Sequence, residues 1–252
     1  MSTVYAAYGD SLFALDPEHG TVRAEHAFGS RIQSIAVAGD ALLVGTFEHG
    51  LSRSADGGKS WSGASGIEQD AVTAIAVAPD DPETVYAGTE PSRAYRSTDG
   101  GRTFGRLAGL TDLPSADEWS FPPRPDTHHV RWIEPSPTDP TLLHVAVEAG
   151  ALLRARVDAD GGVDWTDRVP SARIDTHTIA THPEAPGGVW VAAGDGYAES
   201  MDGGASWQHP HAGLDHTYCW SVAVGLTRAS TGIATPRVLL SAASGAHAAH
   251  RR

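Results

Sequence analysis

Lysine is almost missing from this chain: Lys59 stands alone beside 17 arginines, and the net charge is −13. Phosphate binding needs a basic surface, so this balance speaks against nucleic acid as a partner. Cysteine is nearly as scarce. Cys219 is the only one, which excludes an internal disulfide and fits a reducing compartment. No segment approaches the roughly 18 uninterrupted apolar residues of a membrane span. The opening Met1-Ser-Thr-Val-Tyr has neither the basic region nor the apolar stretch of a secretory leader. The expectation is a cytoplasmic protein without a membrane partner. Helix signals are also sparse, and 252 residues suit one large all-β domain.

What the chain does have is a repeated turn. Ser54 to Trp61, Ser97 to Phe104, Asp158 to Trp165 and Ser200 to Trp207 each carry Asp-Gly-Gly, followed by an aromatic five residues after the Asp. The aspartates are Asp56, Asp99, Asp160 and Asp202, and the aromatics are Trp61, Phe104, Trp165 and Trp207. A carboxylate can collect backbone N–H groups and a nearby hydroxyl, while glycine supplies positive φ at little steric cost. The aromatic can then bury apolar area against the neighbouring unit.

This pattern, Ser-x-Asp-x-Gly-x-Ser/Thr-Trp/Phe, resembles the Asp box, or BNR repeat, of sialidase-like β-propellers. The third copy departs from it, with Asp158 and Asp164 where hydroxyl residues are usual. The resemblance implies structural turns on the side of the propeller away from the binding site. In this pattern the chain resembles uncharacterised bacterial and archaeal BNR-repeat, glycosyl-hydrolase-like proteins.

Short strands of period two between turn signals imply an antiparallel repeat. The box aspartates are 43, 61 and 42 residues apart, near the span of four-stranded blades. The reading is a single propeller of about six blades: a partial one at 1–30, blades at 31–68, 69–108, 127–170 and 171–212, and an incomplete one at 213–252. An insertion at 108–126 accounts for the long interval. Either the ring closes imperfectly or the chain is a shortened form of a longer propeller; the expectation is the latter, incomplete at the C-terminus.

Propeller topology puts the entrances to the first strands and the loops between second and third strands on one face. The entrances offer Arg31, Asp70, His128, His129, Asp175 and Tyr218. The loops offer Asp10, Glu48, Glu90, Glu148 and Asp195, one acid per blade. This is either a turn preference or a rim that attracts cations or transfers protons. Asp175 and His177 lie on one side of a strand, so with His129 or His128 they could reach one metal ion. No Glu-x-x-His or Cys-x-x-Cys spacing supports that, and neither metal nor cofactor is expected. The insertion carries Trp119-Ser-Phe-Pro-Pro-Arg-Pro, which suits either a ligand wall or a cap on the channel mouth.

The sialidase resemblance implies an arginine cluster, a tyrosine nucleophile activated by a glutamate, and an aspartate acid/base. Arg31, Arg131 and Arg237 are the arginines carried over, and Tyr218, Glu148 and Asp175 complete the catalytic candidates. Arg31 sits in Ser-Arg-Ile-Gln, without the proline usual in the family. The expected function is a scaffold that binds a small molecule, a glycan or a protein partner through its acid- and His-lined face. The alternatives are an exo-sialidase-like glycoside hydrolase, or an assembly factor like the propellers of photosystem biogenesis.

Overall fold

A computed structural model describes residues 3–228 and 234–249. The extreme ends of the expected segments 1–30 and 213–252, and positions 229–233, lie outside it. The described residues form six antiparallel sheets in chain order. The first holds β1 (Val4–Tyr8), β2 (Ser11–Asp16) and β3 (Thr21–Ala27). The second holds β4 (Ile32–Ala38), β5 (Ala41–Thr46), β6 (Leu51–Ser54) and β7 (Ser62–Gly63). The third holds β8 (Ala71–Ala78), β9 (Asp81–Glu90), β10 (Ala94–Ser97) and β11 (Gly105–Leu107). The fourth holds β12 (Val130–Pro135), β13 (Leu142–Val147), β14 (Ala151–Val157) and β15 (Val163–Thr166). The fifth holds β16 (Thr176–Thr181), β17 (Val189–Ala193) and β18 (Gly196–Ser200). The sixth is a hairpin of β19 (Tyr218–Arg228) and β20 (Ala234–Ala243), followed by the short helix α1 (Ala246–Ala249). No described helix is long and apolar enough to cross a membrane.

The arrangement is propeller-like because each sheet packs on the next in sequence. Five apolar clusters occupy the gaps between consecutive sheets. Second strands face a neighbouring sheet on both sides, so they are continuous apolar runs: Leu42-Leu43-Val44, Val145-Ala146-Val147 and Val189 to Ala193 are all buried. Gly45 and Gly88 let the inner strands approach. A Cβ at Gly45 would collide with the Val72 carbonyl, and one at Gly88 with the Val130 side chain. The expected fourth strand of 171–212 is reduced to a single bridge between Glu199 and Gln208.

Three of the four turns share one geometry. In the first, the Asp56 carboxylate accepts from the Lys59 and Ser60 amides and from both the Ser54 and Ser60 hydroxyls. Asp99 and Asp202 repeat this with Ser97 and Thr103, and with Ser200 and Ser206. Phe104 and Trp207 are buried between sheets, whereas Trp61 is half-buried against His26 and Phe28. The third turn corrects the sequence reading. Asp158, not Asp160, is the acceptor there, taking the Gly162 amide at 2.7 Å. Trp165 is half-buried and donates its indole N–H to the Ala108 carbonyl at 2.7 Å.

A second repeat appears only in the register. The first strand of each of the last five sheets has a bulge at one equivalent place: between Ile32 and Ser34, Val72 and Ala74, Val130 and Trp132, Thr176 and Thr178, and Cys219 and Ser221. The residues left out of the pairing are Gln33, Thr73, Arg131, His177 and Trp220. A bulge leaves one residue unpaired and re-aims its side chain.

Candidate functional site

Four of the five bulged residues, Gln33, Thr73, Arg131 and Trp220, line one cavity of about 340 Å³. The fifth, His177, packs its ring against Trp220 at 4.6 Å. The same residues tie the inner strands together from sheet to sheet. Thr73 donates to the Val130 carbonyl at 2.6 Å, and the His177 Nδ1–H donates to the Cys219 carbonyl at 2.8 Å. A second cavity of about 380 Å³ is lined further along these strands by residues 33–35 and 131–135.

The first cavity is built from matched charges and aromatic walls. Arg124 forms a forked pair with Glu90, with N···O distances of 2.9 and 2.6 Å. Its guanidinium lies over the Phe47 and Phe121 rings, 5.1 and 4.8 Å from their centroids. Backbone bonds among Phe121, Arg124 and Thr127 fold this stretch into a tight turn that delivers both side chains. Arg131 stacks over Trp220 at 5.3 Å and places Nε 3.4 Å from a Glu148 oxygen. Arg31 completes the set from an exposed position.

His129 lies between the two glutamates. Its Nε2 is 2.9 Å from Glu148 Oε2, and its Nδ1 is 3.8 Å from Glu90 Oε2. Beyond Glu148 come His177, Asp175 and Tyr218. His177 Nε2 is 3.8 Å from Glu148 Oε1, 3.7 Å from Asp175 Oδ1 and 3.5 Å from the Tyr218 hydroxyl.

The two carboxyls of this group are driven apart in acidity. Burial opposes the charge on Glu148, but the His129 hydrogen bond and the Arg131 guanidinium outweigh it and hold the carboxyl below its ordinary value. Burial raises Asp175; His177 partly offsets this, and the Glu148 and Asp195 charges raise it further. Tyr218 is pushed up to about 12 by burial and by the Asp175 and Glu148 charges.

The structure thus brings together Glu90, Glu148, His129, Asp175, His177, Tyr218 and Arg131, with Arg31 on the rim. Other residues singled out in the sequence lie elsewhere. Glu48 and Asp10 are exposed in their loops, away from the cavity lining. Asp195 is at the margin, its carboxylate 3.4 Å from the Ile174 and Asp175 amides. His128 turns against Trp119. Trp119 is not a ligand wall: it is 5% exposed and donates its indole N–H to Ser115 within the core. Arg237 is exposed on β20, apart from the other arginines lining the cavity.

Phe47, Gln33, Thr73 and Trp220 were not singled out from the sequence. Aligning Ile32-Gln-Ser-Ile35, Val72-Thr-Ala-Ile75, Val130-Arg-Trp-Ile133, Thr176-His-Thr-Ile179 and Cys219-Trp-Ser-Val222 exposes the column that holds three of them.

No family model matches the chain, and no curated protein matches it in sequence. Solved structures do resemble it. An ancestral GH74 enzyme aligns at TM-score 0.57 and 16% identity, covering 77% of this chain and 26% of its own. The Niastella koreensis GH74 enzyme aligns at TM-score 0.61 and 18% identity, covering 84% of this chain and 38% of its own. A functionally unknown protein from Desulfotomaculum acetoxidans aligns at TM-score 0.64 and 12% identity, covering 92% and 77%. The chain therefore spans well under half of either glycoside hydrolase, and at these identities the likeness is one of fold.

Proposed function

We propose that this chain is a ligand-binding propeller of the Asp-box (BNR), sialidase-like kind. Its sheets would be about six blades, divided as the turn repeats divide them. Its cavity takes a neutral, hydroxyl-rich ligand of the sugar class. The observation that carries this is the charge matching in the cavity: Glu90 already occupies Arg124, and Glu148 already lies against Arg131. Those glutamates stand where a substrate carboxylate would have to sit, so Arg124 and Arg131 are not free to join Arg31 in an anion clamp. Paired carboxylates and guanidiniums flanked by Phe47, Phe121 and Trp220 suit hydroxyl groups and the apolar face of a sugar ring. The single buried Cys219 suits a cytoplasmic setting.

A binding titration of the full chain against neutral monosaccharides and N-acetylneuraminic acid tests the reading. Neutral sugars should bind, and Trp220→Ala should abolish that binding. Tight binding of the acid, lost in Arg131→Ala, would overturn it, as would a failure of every neutral sugar.

One observation favours glycoside hydrolysis as a second reading. Two carboxyls whose environments push their acidities apart are the usual arrangement of an acid and a base in glycosidases, and Asp175 and Glu148 are such a pair. A fluorogenic glycoside panel with wild type and Asp175→Asn decides it: turnover lost in the variant supports hydrolysis, and no turnover by wild type removes it.

A further inference from the structure

We infer that Glu148, Asp175 and His177 form a binding site for one divalent transition-metal ion of the zinc class. In the sequence Asp175 and His177 stand two apart, but no motif spacing supports a metal, and Glu148, which follows the second strand of the preceding sheet, is not among the ligands that the sequence reading sets with them. The structure gathers Glu148, Asp175 and His177 so that one donor atom from each lies within 4.8 Å of the others. This goes beyond the sugar-binding reading and does not depend on it.

The argument begins at His177. Its side chain is fully buried, and its Nδ1 is 2.8 Å from the Cys219 carbonyl, which can only accept. In its neutral form, the form that ligates a metal, His177 therefore carries its proton on Nδ1 and presents a lone pair at Nε2. That lone pair faces Glu148 Oε1 at 3.8 Å and Asp175 Oδ1 at 3.7 Å, two further acceptors. The Tyr218 hydroxyl, at 3.5 Å, is too far for a strong hydrogen bond. The Asp175 carboxylate also takes the Ala149 amide, but three lone-pair donors around one point are what a cation would join. A backbone carbonyl on the far imidazole nitrogen is the usual support of a metal-bound histidine.

The carboxylates are held in the same manner. Glu148 gives its other oxygen, Oε2, to His129 and Arg131, which leaves Oε1 turned inward. Asp175 has space because position 194 is glycine: a Cβ there would collide with its Oδ2 and crowd the Tyr218 ring. Two carboxylates balance a divalent charge, and an imidazole ligand favours zinc over magnesium or calcium. Zinc bonds of roughly 2.0–2.2 Å imply donor separations of about 3.5 Å, so the two distances to His177 Nε2, 3.8 and 3.7 Å, need to contract by only a few tenths of an ångström, and the two carboxylates start within 4.8 Å of each other. Three protein ligands leave one position open, on the side of Tyr218.

The other gathering of such groups among the described residues, Asp16, Glu18 and His19, differs in kind. Asp16 is already filled by Arg23, His19 and two backbone amides, so nothing there faces an empty point.

Calorimetric titration of the full chain, stripped of metal by a chelator, tests the proposal with Zn²⁺ and with Ca²⁺. One Zn²⁺ per chain is expected, bound at least tenfold more tightly than Ca²⁺. Asp175→Asn and Glu148→Gln should each weaken Zn²⁺ at least tenfold, and Asp16→Asn should leave it unchanged. Both carboxylate variants keep side-chain size, and circular dichroism confirms that they fold. In parallel, Zn²⁺ should raise the melting temperature of wild type and of Asp16→Asn but not of Asp175→Asn. Absent Zn²⁺ binding, a preference for Ca²⁺, undiminished affinity in the folded carboxylate variants, or loss in Asp16→Asn would each overturn the site. Sugar titrations with and without Zn²⁺ keep its failure distinct from failure of the sugar reading.

Discussion

At the scale of single residues, the site is governed by which charges are already matched. Arg124 lies over two phenylalanines and is held by both oxygens of Glu90, which is only 9% exposed. Removing that negative charge would leave a guanidinium in the cavity with no acid. Glu90→Gln should therefore raise the affinity for N-acetylneuraminic acid by about tenfold, or ~1.4 kcal/mol, measured by calorimetry. Unchanged affinity would mean that Arg124 does not govern anion access. Tyr218 supports the same view of the chemistry. With its hydroxyl pushed up to about 12, it is a poor source of phenolate at neutral pH. A fluorinated sialoside that traps tyrosine nucleophiles should leave the intact mass of the protein unaltered, whereas one added sugar at Tyr218 would restore the sialidase chemistry.

At the scale of elements, the turns and the bulges divide the work. The turns close the outer ends of the sheets, and Asp56, Asp99 and Asp202 are held below the ordinary carboxylate value by the hydroxyl and amide bonds of their turns. Asp202 falls from 3.8 to about 2, first through the Ser206 hydroxyl and amide and then through Ser200. A depressed folded value means this contribution is present above about pH 4 and is lost as pH falls toward 2. Asp202→Asn should flatten the fall in melting temperature over that window. The carboxylate is exposed, so solvent screening keeps its effect to about 1 kcal/mol or less. Trp207→Ala, which empties a buried site, should cost about 3 kcal/mol by urea unfolding. Asp160→Ala should change stability by less than about 0.5 kcal/mol, because Asp158 bonds the turn instead. A large loss at Asp160 would contradict the third turn's geometry.

These elements also show what was legible in the sequence. Asp-Gly-Gly with a spaced aromatic is local chemistry, so an antiparallel all-β repeat was readable from it. In the third copy that logic failed, since Asp158 and Asp160 are both acids two residues apart and only geometry decides which one caps the turn. The acid positions in the loops were readable, yet Glu48 and Asp10 stay in solvent while Glu90 and Glu148 turn inward. That difference is made by partners remote in the chain, Arg124 and His129. The bulges were hidden because period-two reading assumes unbroken register, and a bulge takes one residue out of the pairing and re-aims its side chain, here into the cavity for four of the five.

At the scale of the whole molecule, burial is graded from the middle of the chain outward. The third and fourth sheets are covered on both faces, and one cluster from Ala74 to Val157 joins them through Trp119 and Leu110. The first sheet is covered less well: Tyr8 is 75% exposed, and Val4 and Val22 are close to half exposed. The sixth is a hairpin whose β20 has no strand paired on its outer side among the described residues and carries Leu239 at 67% exposure. Local opening requires little free energy where few apolar contacts are lost, so exchange of backbone amides should follow this gradient. Hydrogen exchange read by mass spectrometry should find peptides from 72–90 and 142–157 the slowest. Those from 4–27 and 234–243 should exchange fastest, with 189–200 between them. If the sixth sheet is instead as protected as the fourth, its outer strand must be covered in solution by a contact the isolated chain does not make, and mass photometry at the same concentration would show whether a second copy provides it. Equal protection in a monomer would overturn the view that stability is built sheet by sheet from the centre.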